Sequence, residues 1–159
     1  MIESLDISHL GVIESAHVDF GEGLIVVTGE TGAGKTMVLS SLQLLLGARA
    51  DAALVRSGAD RLSVDGIFSV NDEVATRVEE AGGLIEGGEL IVGRSVRAAG
   101  RSRAHLGSRP VPASVLTDIV GSRSMSSIAW IRCVAMRASA PRSWRICEPP
   151  SSRSKSLIL

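Results

Sequence analysis

An α/β fold of the P-loop NTPase type is predicted by three features of this sequence. Residues Gly29-Glu30-Thr31-Gly32-Ala33-Gly34-Lys35-Thr36 match the pattern G-x-x-x-x-G-K-[ST]. The apolar run Leu24-Ile25-Val26-Val27 stands before it with the length of a buried strand, and Met37 to Leu46 follows it with helical spacing. Strand, loop and helix in that order are the setting in which this motif wraps an anion.

The residue types explain why. Glycines at 29, 32 and 34 permit backbone conformations closed to residues with a Cβ, so successive N–H groups can turn inward around phosphate. The helix that follows points the positive end of its dipole at the same spot. In such a loop Lys35 reaches the β- and γ-phosphates and the Thr36 hydroxyl holds Mg²⁺, so a nucleotide with Mg²⁺ is the expected ligand pair.

With 159 residues and 45% hydrophobic content, the chain has enough material for one domain with a core. Its net charge of zero conceals a seam. Residues 1–121 carry 10 basic against 16 acidic side chains, whereas residues 122–159 carry 7 against 1. The second segment also holds both tryptophans, both cysteines and 10 serines, and it shows no sustained period beyond a short stretch from Ile128 to Val134. Two domains of unlike character are therefore expected: an ordered lobe over 1–121 and a basic Ser/Arg-rich tail over 122–159. A disordered tail and a nucleic-acid-binding arm both fit the composition. A shifted reading frame also accounts for the abruptness of the change at Gly121, since Arg, Ser, Pro, Trp and Cys are what a GC-rich gene yields out of frame; this third reading is favoured. Cys133 and Cys147 have neither metal-site nor C-x-x-C spacing. The N-terminus lacks a basic region and an apolar core of signal-peptide type, and no apolar run is long enough to span a bilayer, so a cytoplasmic protein is expected.

Taken in order, Leu5 and Ile7 alternate with Asp6 and Ser8, and Ala16, Val18 and Phe20 alternate with His17 and Asp19, predicting two half-buried strands. Gly21-Glu22-Gly23 has the length of a hairpin turn leading into Leu24 to Val27. His9 and His17 lack partners at metal spacing and are expected at the surface. Val38, Leu39, Leu42, Leu45 and Leu46 mark one face of the helix after the loop, and Gly47 is placed to end it in a left-handed cap. Leu62 to Val70 reads as a strand, and Asn71 caps a helix carrying Val74, Val78 and Ala81 that Gly82-Gly83 stops. Glu89 to Val96 and Ser102 to Leu106 form a hairpin across the turn at Ala98 to Arg101. Its arginines 94, 97, 101 and 103 read as a solvated face or as a phosphate contact surface. Pro112 opens a last helix with Val115, Leu116, Ile119 and Val120 buried.

Cleaving a nucleotide needs an acidic residue at the end of an apolar strand to support Mg²⁺. Four apolar residues followed by Asp or Glu occur nowhere in the chain; Leu84-Ile85-Glu86 is too short and Asp65 sits in an alternating strand. Binding without hydrolysis is the expectation, and no residue is assigned a catalytic role.

Leu5-Asp6-Ile7-Ser8-His9-Leu10-Gly11-Val12-Ile13, Val18-Asp19-Phe20 with Gly23, and the Gly-Glu-Thr-Gly-Ala-Gly-Lys form of the loop closely resemble the N-terminal segment of the RecN family, bacterial DNA repair ATPases related to SMC proteins. Leu46 to Asp51, Val55 to Gly58, and Gly100 to Arg103 followed by the Gly107 to Pro112 turn extend the resemblance over about residues 1–121. It implies the N-terminal lobe of an ABC/SMC-type ATPase head, with ATP and Mg²⁺ held by residues 29–36 and Thr36 on the metal. It implies that the acidic Walker B strand and the signature motif lie on a second lobe of a longer protein. Heads that dimerise around ATP and act on DNA ends in double-strand break repair, on the bacterial nucleoid and away from membranes, are further implications. In the family the last helix leads into a strand with a His-Gly-Gln element; here Gly121 is followed by Ser122-Arg123-Ser124, which departs from it. A lobe of another SMC-like or ABC head, or a non-enzymatic basic DNA-binding fragment, are the alternative readings.

Overall fold

The computed structural model describes residues 1–21 and 34–121, together with the backbone of 25–28 and 155–158. In chain order the elements are β1 (Ile2–Leu10), β2 (Ile13–Asp19), β3 (Ile25–Thr28), α1 (Lys35–Leu45), a 3-10 turn (Ala52–Leu54), β4 (Arg61–Ser69), α2 (Asp72–Glu80), β5 (Glu89–Arg97), β6 (Ser102–Leu106), β7 (Arg109–Val111), α3 (Ala113–Ile119) and β8 (Lys155–Ile158).

Six strands form one antiparallel sheet in the order β2-β1-β4-β5-β6-β7, and β3 pairs in parallel with β8 in a separate two-stranded sheet. Alternation in the sequence decides which face of the large sheet is covered. Leu5, Ile7, Leu62, Val64, Phe68, Leu90, Val92, Val96, Ala104 and Leu106 point to one side and are buried. Helix α1 lies on that side and adds Val38, Leu42, Leu44 and Leu45 to the same core. Each fully buried Leu or Phe of this layer contributes about 1.5–3 kcal/mol relative to exposure. The opposite face carries Asp6, His17, Asp65, Ser95 and Arg103 and faces solvent.

The predicted helix ends are observed. Gly47 has φ 87°, its N–H donates to Leu44 O at 3.1 Å, and the Ala48 N–H donates to Gln43 O at 3.0 Å. These two bonds are the Schellman pattern that satisfies the last carbonyls of α1. Helix α2 ends the same way at Gly82 and Gly83, whose N–H groups donate to Glu79 O and Val78 O. At its start the Asn71 side chain accepts from the Val74 N–H at 3.1 Å, and Arg77 reaches from α2 to Asp118 O of α3 at 2.7 Å.

Three expectations change. Gly21 does not lead into a hairpin, because β2 pairs only with β1 in the described sheets and β3 belongs to the other sheet. The predicted Gly107 to Pro112 turn contains β7, paired with β6 through Ala104↔Val111 and Leu106↔Arg109; Pro110 is tolerated because the strand is at the edge. Pro112 is the N-cap of α3, one position before the first helical residue. The stretch from Ile128 to Val134 and both cysteines lie outside the described residues.

Gly47 has a second task, since a Cβ there would stand 2.2 Å from Thr117 Oγ1 and 2.8 Å from Ala113 O. Gly58 has nearly the same backbone, φ 86°, but open space around it. Gly58→Ala should therefore cost about 1 kcal/mol of left-handed strain, and Gly47→Ala clearly more because α3 must also shift. Urea unfolding of both variants checks this; equal losses would show that the contact between Gly47 and α3 is unimportant.

Candidate functional site

The site is built where α1 begins. Gly34, buried and at φ 87°, is the N-cap, and its carbonyl accepts from Met37 N at 2.8 Å and Val38 N at 3.0 Å. Among the described residues no side chain caps this end and no acidic residue occupies the first turn, so the positive end of the dipole faces the loop before it. Lys35 is half-buried at the first helical position and Thr36 is exposed beside it. The structure thus brings Gly34, Lys35 and Thr36 together at one helix start; Gly29, Glu30, Thr31, Gly32 and Ala33 lie outside the described residues. What is described fits a phosphate and its cation: an uncapped helix start, a lysine and a hydroxyl.

A wall beside this start comes from the β1–β2 turn. A Cβ on Gly34 would stand 3.3 Å from Ile13 Cγ1, and one on Gly11 would stand 2.5 Å from Met37 Sδ. The turn therefore rests directly on α1. It is held from the other side by a segment the sequence left unassigned. Gly11 N–H donates to Leu54 O at 2.7 Å, Arg56 N–H to His9 O at 2.9 Å, and the Arg56 guanidinium to Val12 O at 2.6 Å. Arg56 also approaches Glu14 at 3.9 Å, and an open depression of about 480 Å³ lined by His9, Glu14, Arg56 and Arg61 adjoins the turn. Arg56 lies in the Val55 to Gly58 stretch of the resemblance, but no local pattern gave it a role, because its partner lies 44 residues away.

His9 and His17 are exposed, as expected. His17 nevertheless has acidic neighbours that spacing did not show. Its Nδ1 lies 2.8 Å from Asp6 and its Nε2 3.0 Å from Asp19, since the β1–β2 register sets Asp6 opposite His17. These hydrogen bonds, and the charges behind them, raise the His17 pKa. Asp6 also faces Asp65 across β4, and the Asp65 carboxyl is pushed up, first by burial and then by the Asp6 charge. Among the described residues no cluster of His, Cys, Asp and Glu is arranged to hold a metal ion.

The arginines of the β5–β6 hairpin do not share one face. Arg94 points into the core side and is 4% exposed, whereas Arg97, Arg101 and Arg103 are exposed. The reading of four arginines on a single solvated face is corrected by strand parity. Burial lowers the Arg94 pKa; its guanidinium donates to Ser102 Oγ at 3.4 Å and its Nε has no partner among the described residues.

With this geometry in view, the comparisons define a class. Residues 4–100 match the AAA domain family, and the chain belongs to it. The fold is that of an SMC-type ATPase head: it superposes on the Smc head bound to the winged-helix domain of ScpA with a TM-score of 0.61 at 22% identity, over 76% of this chain and 40% of that one. A structure from a study of ATP-driven dimerisation in SMC ATPases aligns at 0.62 and 19% identity over 87% of this chain and 99% of that one. Both establish the N-terminal lobe of a P-loop head as the architecture.

Within that class the chain is similar in sequence to several DNA repair proteins. The chain is 55% identical over 115 residues to the DNA repair protein RecN of Streptomyces coelicolor, covering 71% of this chain and 20% of that protein. It is 46% identical over 125 residues to RecN of Mycobacterium tuberculosis and 38% over 120 residues to RecN of Vibrio cholerae. The chain spans about a fifth of the length of these relatives. The family and the fold together imply nucleotide binding. No helix among the described residues is long and apolar enough to cross a membrane.

The His17 cluster makes stability depend on pH in a defined direction. Because the folded pKa lies above the ordinary histidine value of about 6.5, the stabilisation is full below about pH 6.5 and is lost as pH rises through the folded value. His17→Gln should lower the urea midpoint at pH 5.5 and leave it nearly unchanged at pH 9. A deficit that persists at pH 9 would show that the ring acts by packing and not by charge.

Proposed function

We propose that this chain is the ATP-binding N-terminal part of a RecN-like head, serving recombinational repair of DNA double-strand breaks in the longer protein. One observation carries the reading: Gly34, Lys35 and Thr36 stand together at the uncapped start of α1. Lys35 binds the β- and γ-phosphates and Thr36 contributes its hydroxyl to Mg²⁺, with Gly29, Glu30, Thr31, Gly32 and Ala33 assigned to the same ligand by the motif. Mg²⁺ would supply charge neutralisation across the phosphates, and the β1–β2 turn would limit water on one side of them. The sequence holds no run of four apolar residues followed by Asp or Glu, and turnover is assigned to a complete head.

DNA as the ultimate substrate and head-to-head pairing around ATP follow from the same reading, supported by the RecN relatives and by the SMC likeness. So does a place in the bacterial cytoplasm at the nucleoid. A lobe of another SMC-like head is the second reading, favoured by the likeness to RecF bound to ATP, with a TM-score of 0.55. For residues 122–159 we retain the shifted reading frame; the relatives match 71–75% of the chain, an extent in keeping with a seam near Gly121.

The test is ATP binding with and without Mg²⁺, followed by calorimetry, with circular dichroism on the same samples. Lys35→Ala should weaken binding by about 10- to 100-fold, the worth of a hydrogen bond to a charged group. Thr36→Ala should lose most of the gain given by Mg²⁺ while keeping Mg²⁺-free binding. Equal affinity of the parent chain and a folded Lys35→Ala variant would overturn the assignment.

A further inference from the structure

The register of the large sheet gathers arginines on its open face. Arg61 and Arg97 are direct cross-strand partners, and Arg103 lies opposite Ser95, two residues before Arg97 on the same side of β5. Arg101 sits in the connecting turn, where its carbonyl accepts the Arg97 N–H at 2.8 Å. All four are exposed. The ion pairs among the described residues involve His17 with Asp6 and Asp19, and Arg56 with Glu14; none reaches this group.

Like charges placed directly opposite each other in a sheet destabilise it. The two carboxylates close in sequence do not cancel the pair. Asp60 is exposed and unbonded to either arginine, and Asp65 leans over Gly93, where an added Cβ would stand 2.7 Å from its Oδ1. A row of hydroxyls adjoins the arginines. Ser15, Ser8, Ser63 and Ser95 are successive register partners across four strands, and the row ends at Arg103. The next row, with His17, Asp6, Asp65 and His105, is acidic at its centre and confines anion contact to this end of the sheet.

We propose that Arg61, Arg97, Arg101 and Arg103 form a docking surface for the phosphate backbone of duplex DNA. Guanidinium groups on three neighbouring strands, about 4.8 Å apart, can share successive phosphates, and serine hydroxyls donate to the same oxygens. A single strand is not the occupant, because single-strand sites stack bases on aromatic rings. Phe68 is buried and Phe20 packs on the core, so among the described residues the face offers none. A protein partner would need an apolar anchor at the centre; the exposed Ile91 lies toward the other end of the sheet, near Glu89. The inference rests on the DNA reading above and names the surface that reading lacks.

The test is fluorescence anisotropy of the full chain with a labelled blunt duplex over a series of salt concentrations. Replacing Arg61, Arg97 and Arg103 together by Gln should weaken binding at least 10-fold and flatten the log–log salt dependence by about 0.9 per arginine. Replacing Arg132, Arg137 and Arg142 by Gln, in the basic tail, should leave the slope unchanged. Arg97→Gln alone should lose affinity while keeping or raising the melting temperature, because it removes a repulsive pair; a purely structural role would lower both. ATP binding read through Lys35 is measured on the same variants, so a failed nucleotide assignment is separable from a failed DNA surface. Loss confined to the tail variant, an unchanged slope in the sheet variant, or tighter binding of a single strand than of the duplex would overturn the proposal.

Discussion

Helix α1 is gripped at both ends, and the geometry of the candidate site depends on that grip. At its start the Ile13 side chain packs on Gly34 and the Met37 side chain packs on Gly11, so the β1–β2 turn rests on the helix. At its finish Gly47 lies against Thr117 and Ala113 of α3 with no room for a methyl group. Between these points Leu42, Leu44 and Leu45 are buried on the sheet. A phosphate-binding helix start is useful only if it cannot drift relative to the residues around it, and close packing of small contacts supplies that rigidity. Arg56 secures the turn from behind by its hydrogen bond to Val12 O, so a segment with little regular structure holds the wall of the site in place.

Local signals carried much of this into the sequence. Alternation in Leu5-Asp6-Ile7 and in Leu62 to Phe68, the Asn71 cap and the glycines after α1 and α2 are decided by residues within a few positions of one another, and each is observed as read. What pairs with what is not local. The same residues allowed β3 to follow β2 as a hairpin, but the neighbours of β1 are β2 and β4, with the P-loop segment between them in sequence. The contact of His17 with Asp6, the inward side of Arg94 and the meeting of Arg61 with Arg97 all depend on that register. For the site, the motif predicted a helix start at Gly34, Lys35 and Thr36, and α1 begins there, whereas the contact of Arg56 with Val12 O arises only once the chain has folded back on itself.

The open face of the sheet separates its charges by rows. Carboxylates and imidazoles occupy the middle, and guanidinium groups occupy the end next to the β5–β6 turn. Since side chains in successive positions alternate between faces, this order arises from residues two apart in sequence on each strand. Arg94 shows the other side of the same rule: one position out of step with Arg97 and Arg103, it is buried with its charge poorly compensated.

The strand order also constrains how the molecule can form. The β1–β2 and β5–β6 hairpins join residues close in sequence and close their loops at small entropic cost. Pairing β1 with β4, as in Asp6↔Asp65, instead closes a long loop that contains β3, the glycine-rich stretch 29–34 and α1. Such non-local pairing is the slow step in sheets of this kind. During synthesis the ribosome delivers β1, β2 and the whole of that loop before β4 exists, so β1 waits with one edge unpaired. The centre of the sheet is sealed only after residues 29–36 and α1 have been made.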